Sequence, residues 1–372
     1  MGTRITRSPD YDTIGVIYLE EAGQLAVETA GQLAGFIETA RQTIDIAIYD
    51  CRLTDGPAAI LRDALAARAN SGVRIRVVYD AGDKPETIED VEALGLEPVP
   101  VTTHERIAEL GLPDTSIRAI TGMRALMHHK YVIVDGQRVW TGSLNLSDDS
   151  MHRMENMIVT LTSAELARDF RRDFDQLWSS GRVEASGKFA TAPHELIYGG
   201  APAPTDVDFS PGQGQAINEL IAKRVARATS RIVICSMLFT SSRLLGALAD
   251  HVARGRIDIT GIYDGTQMAG VLHQWRERED LAWKIQAVQD VIAYGNLVGK
   301  PSTPYRPGQS HNFLHVKTLV VDQTVLTGSH NFSHAAQANA ENVLSISSAA
   351  LADRTVEYSH RLADRYRSVS TS

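Results

Sequence analysis

The sequence predicts an α/β protein built as two similar lobes that face each other. Two observations carry this expectation. A strand–helix–strand pattern runs through residues 36 to 82, and the same pattern returns at 220 to 266. The chain, at 372 residues, has room for two domains of roughly 100–200 residues each.

Each copy opens with a helix-like stretch that closes at Ala40 or Ala228. A β-branched strand follows, marked by Ile44 and Ile46 in one copy and Ile232 and Ile234 in the other. Apolar spacing of three and four then predicts a helix, through Ile60, Leu61, Ala64 and Leu65 or Leu244, Leu245, Leu248 and Ala249. A second strand ends in Tyr79-Asp80 or Tyr263-Asp264. Strand, helix and strand at this length make a βαβ unit with a parallel pair. The repeat of about 185 residues is far longer than a solenoid period. "AELARDFRRDFDQLW", with Leu166, Phe170, Phe174 and Leu177 in helical register, closes the first lobe, and "ALADRTVEYSHRLADRYRS" is its counterpart. Between them Pro, Gly and Ala crowd together and helical periodicity vanishes. The expected division is lobe one at 1–190, a linker at 191–215 and lobe two at 216–372.

Composition is that of a globular protein, 43% apolar and 22% charged, with net charge −8. That charge argues against a broadly basic surface for nucleic acid but leaves room for a local basic cleft. Cys51 and Cys235 lie in apolar strand-like runs and read as buried free thiols, so a reducing, cytoplasmic setting is expected. No apolar stretch approaches the 18 or so residues that span a bilayer.

The chemistry sits in a second repeated passage. "HHKYVIVDGQRVWTGSLN" at 128–145 returns as "HVKTLVVDQTVLTGSHN" at 315–331. Period-two alternation places His128 and Lys130 on one strand face, with His129 opposite; His315 and Lys317 share a face in the second copy. Asp135 and Asp322 follow five residues after each Lys, then Ser143 and Asn145, or Ser329 and Asn331. Glu155 and Glu341 lie ten residues beyond each Asn. Any one of these residues alone is ordinary. Packing gives no reason for the whole series to recur in order with one slip in spacing. Two imidazoles and two ammonium groups meeting between lobes make an anion site, with Ser and Asn as neutral donors. A neutral His can attack phosphorus while a charged one protonates the leaving oxygen. Glu155 and Glu341 are the candidates to orient the two rings. Asp135 and Asp322 are expected to brace the motif's turn or its Lys. A metal site fits poorly, because an ammonium repels a cation.

His-x-Lys-x4-Asp followed by Gly-Ser-x-Asn, present twice, resembles the phospholipase D superfamily across most of the chain. The resemblance implies two tandem α/β/α lobes with pseudo-twofold symmetry and an active site at their interface, complete within one monomer. It implies a phosphodiesterase working through a covalent phosphohistidine, with no metal or other cofactor. Carried onto this chain, the catalytic set is His128, His315, Lys130, Lys317, Asp135, Asp322, Glu155 and Glu341. Ser143, Asn145, Ser329 and Asn331 bind the phosphate. His128 and His315 are nucleophile and general acid in an order the sequence leaves open, with analogy favouring His128 as the nucleophile.

For the substrate, absent spans and export signals favour nucleic acid slightly over phospholipid, while the acidic balance pulls the other way. The alternatives are a peripheral phospholipase or phosphatidyl transferase, and a binding protein with a dead site, against which both complete motifs argue. Basic and aromatic residues before the second motif, namely Trp275, Trp283, Lys284, Lys300, Tyr305, Arg306, His311 and Phe313, suit either a stacked base or a lipid headgroup. Arg124 is a candidate to extend the anion site.

Overall fold

The computed structural model describes residues 12–81, 103–304, 306 and 309–369. Tyr305 and residues 86–102 of the 86–127 segment that leads into the first motif lie outside the described residues.

Lobe one holds β1 (Ile14–Leu19), α1 (Ala26–Glu38), β2 (Thr43–Ile48), β3 (Cys51–Arg52), α2 (Asp55–Asn70), β4 (Arg74–Asp80), α3 (Thr103–Ala108), β5 (Ile117–Ile120), β6 (Lys130–Val134), β7 (Arg138–Gly142), β8 (Leu146–Ser147), β9 (Asn156–Thr162) and α4 (Ala164–Ser180). Its main sheet runs β1-β9-β7-β6-β2-β4-β5. The expected parallel pair is β2 beside β4, in register from Thr43 opposite Arg74.

Lobe two holds β10 (His194–Tyr198), β11 (Ala201–Ser210), α5 (Gly214–Ala226), β12 (Arg231–Ser236), α6 (Ser242–Arg254), β13 (Asp258–Asp264), α7 (Gly265–Arg276), α8 (Ala282–Gly295), β14 (Val298–Lys300), β15 (Lys317–Val321), β16 (Thr324–Gly328), β17 (Glu341–Ser347) and α9 (Ala349–Val369). Its sheet runs β10-β11-β17-β16-β15-β12-β13-β14, with β12 parallel to β13.

Alternation along the strands divides the core into three layers. Ile44, Ile46 and Ile48 of β2 pack outward with α1 and α2, while Ile232 and Ile234 of β12 pack outward with α5 and α6. The inner residues Ala47, Ile133, Val233 and Val320 join one shared cluster, which also takes Phe170 and Phe174 of α4 and Leu351 and Leu362 of α9. At about 25 cal/mol per Å² of buried apolar surface, this shared layer holds the lobes together. Both cysteines are buried and free.

The segment expected as a linker is built into the second sheet. Residues 194–210 form a hairpin, and β11 pairs with β17 from Thr205 to Ser210. Gly199 and Gly200 turn the chain with φ of 61° and 73°. Pro202 and Pro204 precede the stretch that pairs with β17, so their missing N–H groups are not needed there. Those prolines hide a period-two pattern in which Leu196, Ala203, Thr205, Val207 and Phe209 are all buried.

Candidate active site

β6 and β15 are central strands of their sheets, and each begins at its motif Lys. His128 and His315 therefore stand at matching strand entrances. His129 points the other way, its Nε2 lying 3.0 Å from the buried carboxylate of Asp173. The far ends of the strands carry Asp135 and Asp322, both left-handed at φ 53° and 54°. Asp135 accepts the N–H groups of Arg41, Gln42 and Thr43. Asp322 accepts those of Thr229, Ser230 and Arg231. Burial opposes the charge of Asp322, yet the Ser230 hydroxyl and these N–H groups bring it down to about 2. Five residues of strand, about 16 Å, separate each Asp from its Lys. Both aspartates thus pin the loop that leads into the neighbouring strand, β2 or β12, rather than the motif's own turn or its Lys, and neither reaches the reacting groups.

The two lobes clasp each other through the histidines. The His128 N–H donates to Ala340 O at 2.9 Å, and the His315 N–H to Glu155 O at 3.1 Å. Each imidazole Nδ1 then meets a side chain of the opposite lobe. His128 Nδ1 lies 2.8 Å from Glu341 Oε2, and His315 Nδ1 lies 3.1 Å from Asn156 Oδ1. Both partners are oxygen acceptors, so a neutral ring carries its proton on Nδ1 and keeps the Nε2 lone pair. Lys130 Nζ donates to His128 O at 2.7 Å, and Lys317 Nζ to His315 O at 2.8 Å. Each Lys is thereby folded back beside its own His.

Asn156, not Glu155, occupies the position of Glu341. Asn342 N–H donates to Ser329 Oγ at 3.0 Å, while in lobe one Met157 N–H donates to Ser143 Oγ at 3.1 Å. These equivalent bonds span 13 residues in one copy and 14 in the other. The extra residue is taken up by a π-helical turn at Asp149–Arg153. A one-residue shift turns a strand side chain to the opposite face. Glu155 is accordingly aligned with Ala340, and its carboxylate faces away from His315. It meets Lys300 Nζ at 2.6 Å and the Tyr366 hydroxyl of α9, and Lys300 also reaches Glu21 at 3.1 Å. The expectation that Glu155 orients a catalytic ring is corrected. Ser143 and Ser329 are likewise placed behind the histidine partners: Ser143 Oγ donates to Asn156 Oδ1 at 2.7 Å.

The two histidines and two lysines of the motifs are at most 7% exposed. Burial drives both imidazoles well below the usual histidine range, and Lys130 and Lys317 push the same way. Burial lowers Lys130 to about 7, against the pull of Glu341 and Asp50. Lys317 falls well below the ammonium range through burial and the nearby Lys130. Groups from both lobes therefore feel one another's charge. Such a cluster resists full protonation alone and accepts it when an anion enters. Asn145 and Asn331 each bury an amide oxygen that makes no hydrogen bond.

Residues outside the sequence expectation also contribute. The Tyr49 ring stands edge-on to His128 at 4.7 Å and lies 5.0 Å from Lys130 Nζ. His330, the variable residue of "GSHN", is 1% exposed, and Glu341 acts on it against the downward pull of burial. Neither repeats in the other copy, where Met237 and Leu144 stand, so a search for recurrence passes over both. The basic residues before the second motif are largely internal. Lys300 is buried among carboxylates, and Lys284 donates to Thr240 O over the face of Trp275. Arg124 is exposed, with φ of 60°.

Comparison with known proteins agrees with this fold. Residues 33–178 and 221–363 match the family described as cardiolipin synthase, PLD-like domain. A mitochondrial cardiolipin hydrolase of Chlamydomonas reinhardtii is 22% identical over 143 residues, covering 38% of this chain and 54% of that protein. One of Danio rerio is 30% identical over 78 residues, 21% of this chain and 34% of that protein. The chain thus spans about half or less of the curated relatives it matches. The crystal structure of a phosphatidylserine synthase from Haemophilus influenzae Rd KW20 shares the fold, with a TM-score of 0.67, 16% identity, and coverage of 94% of this chain and 86% of that one.

Proposed function

The chain belongs to the phospholipase D-like family, and from that premise we propose that it cleaves a phospholipid phosphodiester through a phosphohistidine on His128. The observation that carries the reading is the pair of cross-lobe contacts, His128 Nδ1 to Glu341 and His315 Nδ1 to Asn156, which leave the Nε2 lone pair of each neutral ring for chemistry. His128 Nε2 attacks phosphorus, the N–P bond forms, and the P–O bond to the leaving alcohol breaks. The Nε2 proton of His315 goes to that oxygen. Water, or an acceptor alcohol, then gives a proton to His315 as its oxygen attacks phosphorus and the N–P bond breaks. Lys130 and Lys317 balance the charge on the non-bridging oxygens, and Asn145 and Asn331 supply their amides.

Phospholipid is favoured here over nucleic acid, reversing the slight lean of the sequence. Lys284 and Lys300, which suited a strand of nucleic acid, are directed into the protein. The relatives that match in sequence are named for cardiolipin chemistry. Among the described residues no helix is long and apolar enough to cross a membrane, so substrate is met at a surface. Met123, five residues before His128 and 76% exposed, is an apolar side chain suited to that contact. The test offers labelled cardiolipin and phosphatidylglycerol vesicles beside single- and double-stranded DNA and RNA, with His128→Ala as control. Headgroup release from vesicles alone is expected. Cleavage of nucleic acid alone would reverse the assignment.

A further inference from the structure

We infer that Asn156 makes the two half-sites chemically unequal, holding the His315 ring with a neutral amide where Glu341 holds His128 with a carboxylate. For its catalytic consequence the inference rests on the two-histidine reading above. Its structural basis is the register. In each half the histidine N–H bonds one carbonyl of the opposite lobe, and the side chain of the next residue takes Nδ1: Ala340 then Glu341, Glu155 then Asn156. A serine of the same lobe backs each partner: the Ser143 hydroxyl donates to Asn156, and Ser329 bonds the Glu341 carboxylate. The amide orientation is fixed by its surroundings, since Asn156 Nδ2 donates to the Ser150 carbonyl at 2.8 Å. Oδ1 must therefore be the atom that faces His315.

Among the described residues no neighbouring carboxylate substitutes. Glu155 is tied to Lys300 and Tyr366. Asp264 is occupied by the Leu314 and Gln267 N–H groups and the Ser302 hydroxyl. The groups that act on His315 are Lys317 from its own strand, Lys130 and His128 from lobe one, and the Ser143 carbonyl. His128 has the same two lysines with His129 and His330, and in addition it has Glu341. A carboxylate holds a positive ring in place and an amide lets the proton go. The ring that must stay positive as a phosphoimidazolium is the one with the carboxylate, and the ring that must release and regain a proton is the one with the amide. Asn156 is in this sense a positioning residue that separates the two roles.

The test is a ring-¹⁵N NMR titration of both histidines in the full chain, in the wild type, in Asn156→Asp and in Glu341→Gln. In the wild type without substrate His128 takes its proton at higher pH than His315; the reacting form, with His128 neutral and His315 charged, is reached when the phosphate anion enters beside both rings. Asn156→Asp raises the His315 protonation constant tenfold or more and closes the gap. Should the Asn156→Asp variant fail to fold, its new carboxylate set against the Ser150 carbonyl, Glu341→Gln closes the gap from the other side by lowering His128. Coincident titrations in the wild type, or a gap unchanged in every folded variant, would overturn the inference. A gap that closes in a chain that cleaves no phosphodiester would sustain the inference and sink the proposed function.

Discussion

Glu341 of lobe two reaches across the interface to hold the His128 Nδ1 of lobe one at 2.8 Å. The contact is buried on both sides, and Asn339 Nδ2 supports the other carboxylate oxygen at 3.3 Å. Replacing Glu341 by Gln keeps the shape and removes the charge. Turnover is expected to fall about 10²- to 10⁴-fold, the range for loss of an acid–base element, with little change in KM. Steady-state kinetics on vesicles checks this, and a rise in KM at constant kcat would assign Glu341 to binding alone.

The buried lysines predict anion-dependent stability. Lys130 has a folded pKa of about 7, below its unfolded value near 10.4. Between those values the unfolded chain binds more protons, so stability is expected to rise as pH climbs from about 7 to 10. Lys130→Met removes its share of that slope and leaves the share of Lys317, which burial also holds below the ammonium range. Inorganic phosphate raises Tm in the wild type and does so less in Lys130→Met. Thermal melts across pH, with and without phosphate, measure both effects.

Asp322 has its folded pKa depressed to about 2 from an ordinary 3.8. Its contribution is present above about pH 4 and is lost as pH falls toward 2. Asp322→Asn is expected to lower Tm at pH 7 and to flatten the acid limb, while kcat of the folded enzyme stays within a few-fold. A large kcat loss at full folding would place Asp322 nearer the chemistry than its 16 Å or so of strand allows.

Lys300 and Glu155 form a fully buried pair. Lys300→Met leaves the buried Glu155 carboxylate without its counter-charge and should cost about 3–5 kcal/mol. Glu155→Ala in the same chain reproduces the Ala340 arrangement of the other half and should recover much of that loss. Denaturant unfolding of the single and double variants gives the coupling; simple additivity would contradict it.

The recurrence of His, Lys and Asp was legible in the sequence because each stands at the same point of a repeated strand. The β-branched strands and the Leu166–Leu177 helix were legible through their periods. The partner of His315 was not. Glu155-Asn156 and Glu341-Asn342 look alike as text, and a π-helical turn at 149–153 shifts which of the pair faces the interface. The hairpin at 194–210 was obscured by prolines that sit outside its central pairing. Lys284 and Lys300 read as surface charge because their internal partners, Thr240 and Glu155, lie 44 and 145 residues away.

The most direct measurement captures the intermediate. The enzyme is mixed with phospholipid vesicles, quenched in alkaline denaturant, digested and analysed by mass spectrometry. The account predicts a phosphatidyl adduct on the peptide carrying His128, absent from His128→Ala and accumulating in an enzyme slowed at the second step. An active enzyme that never carries the adduct on either histidine would contradict it.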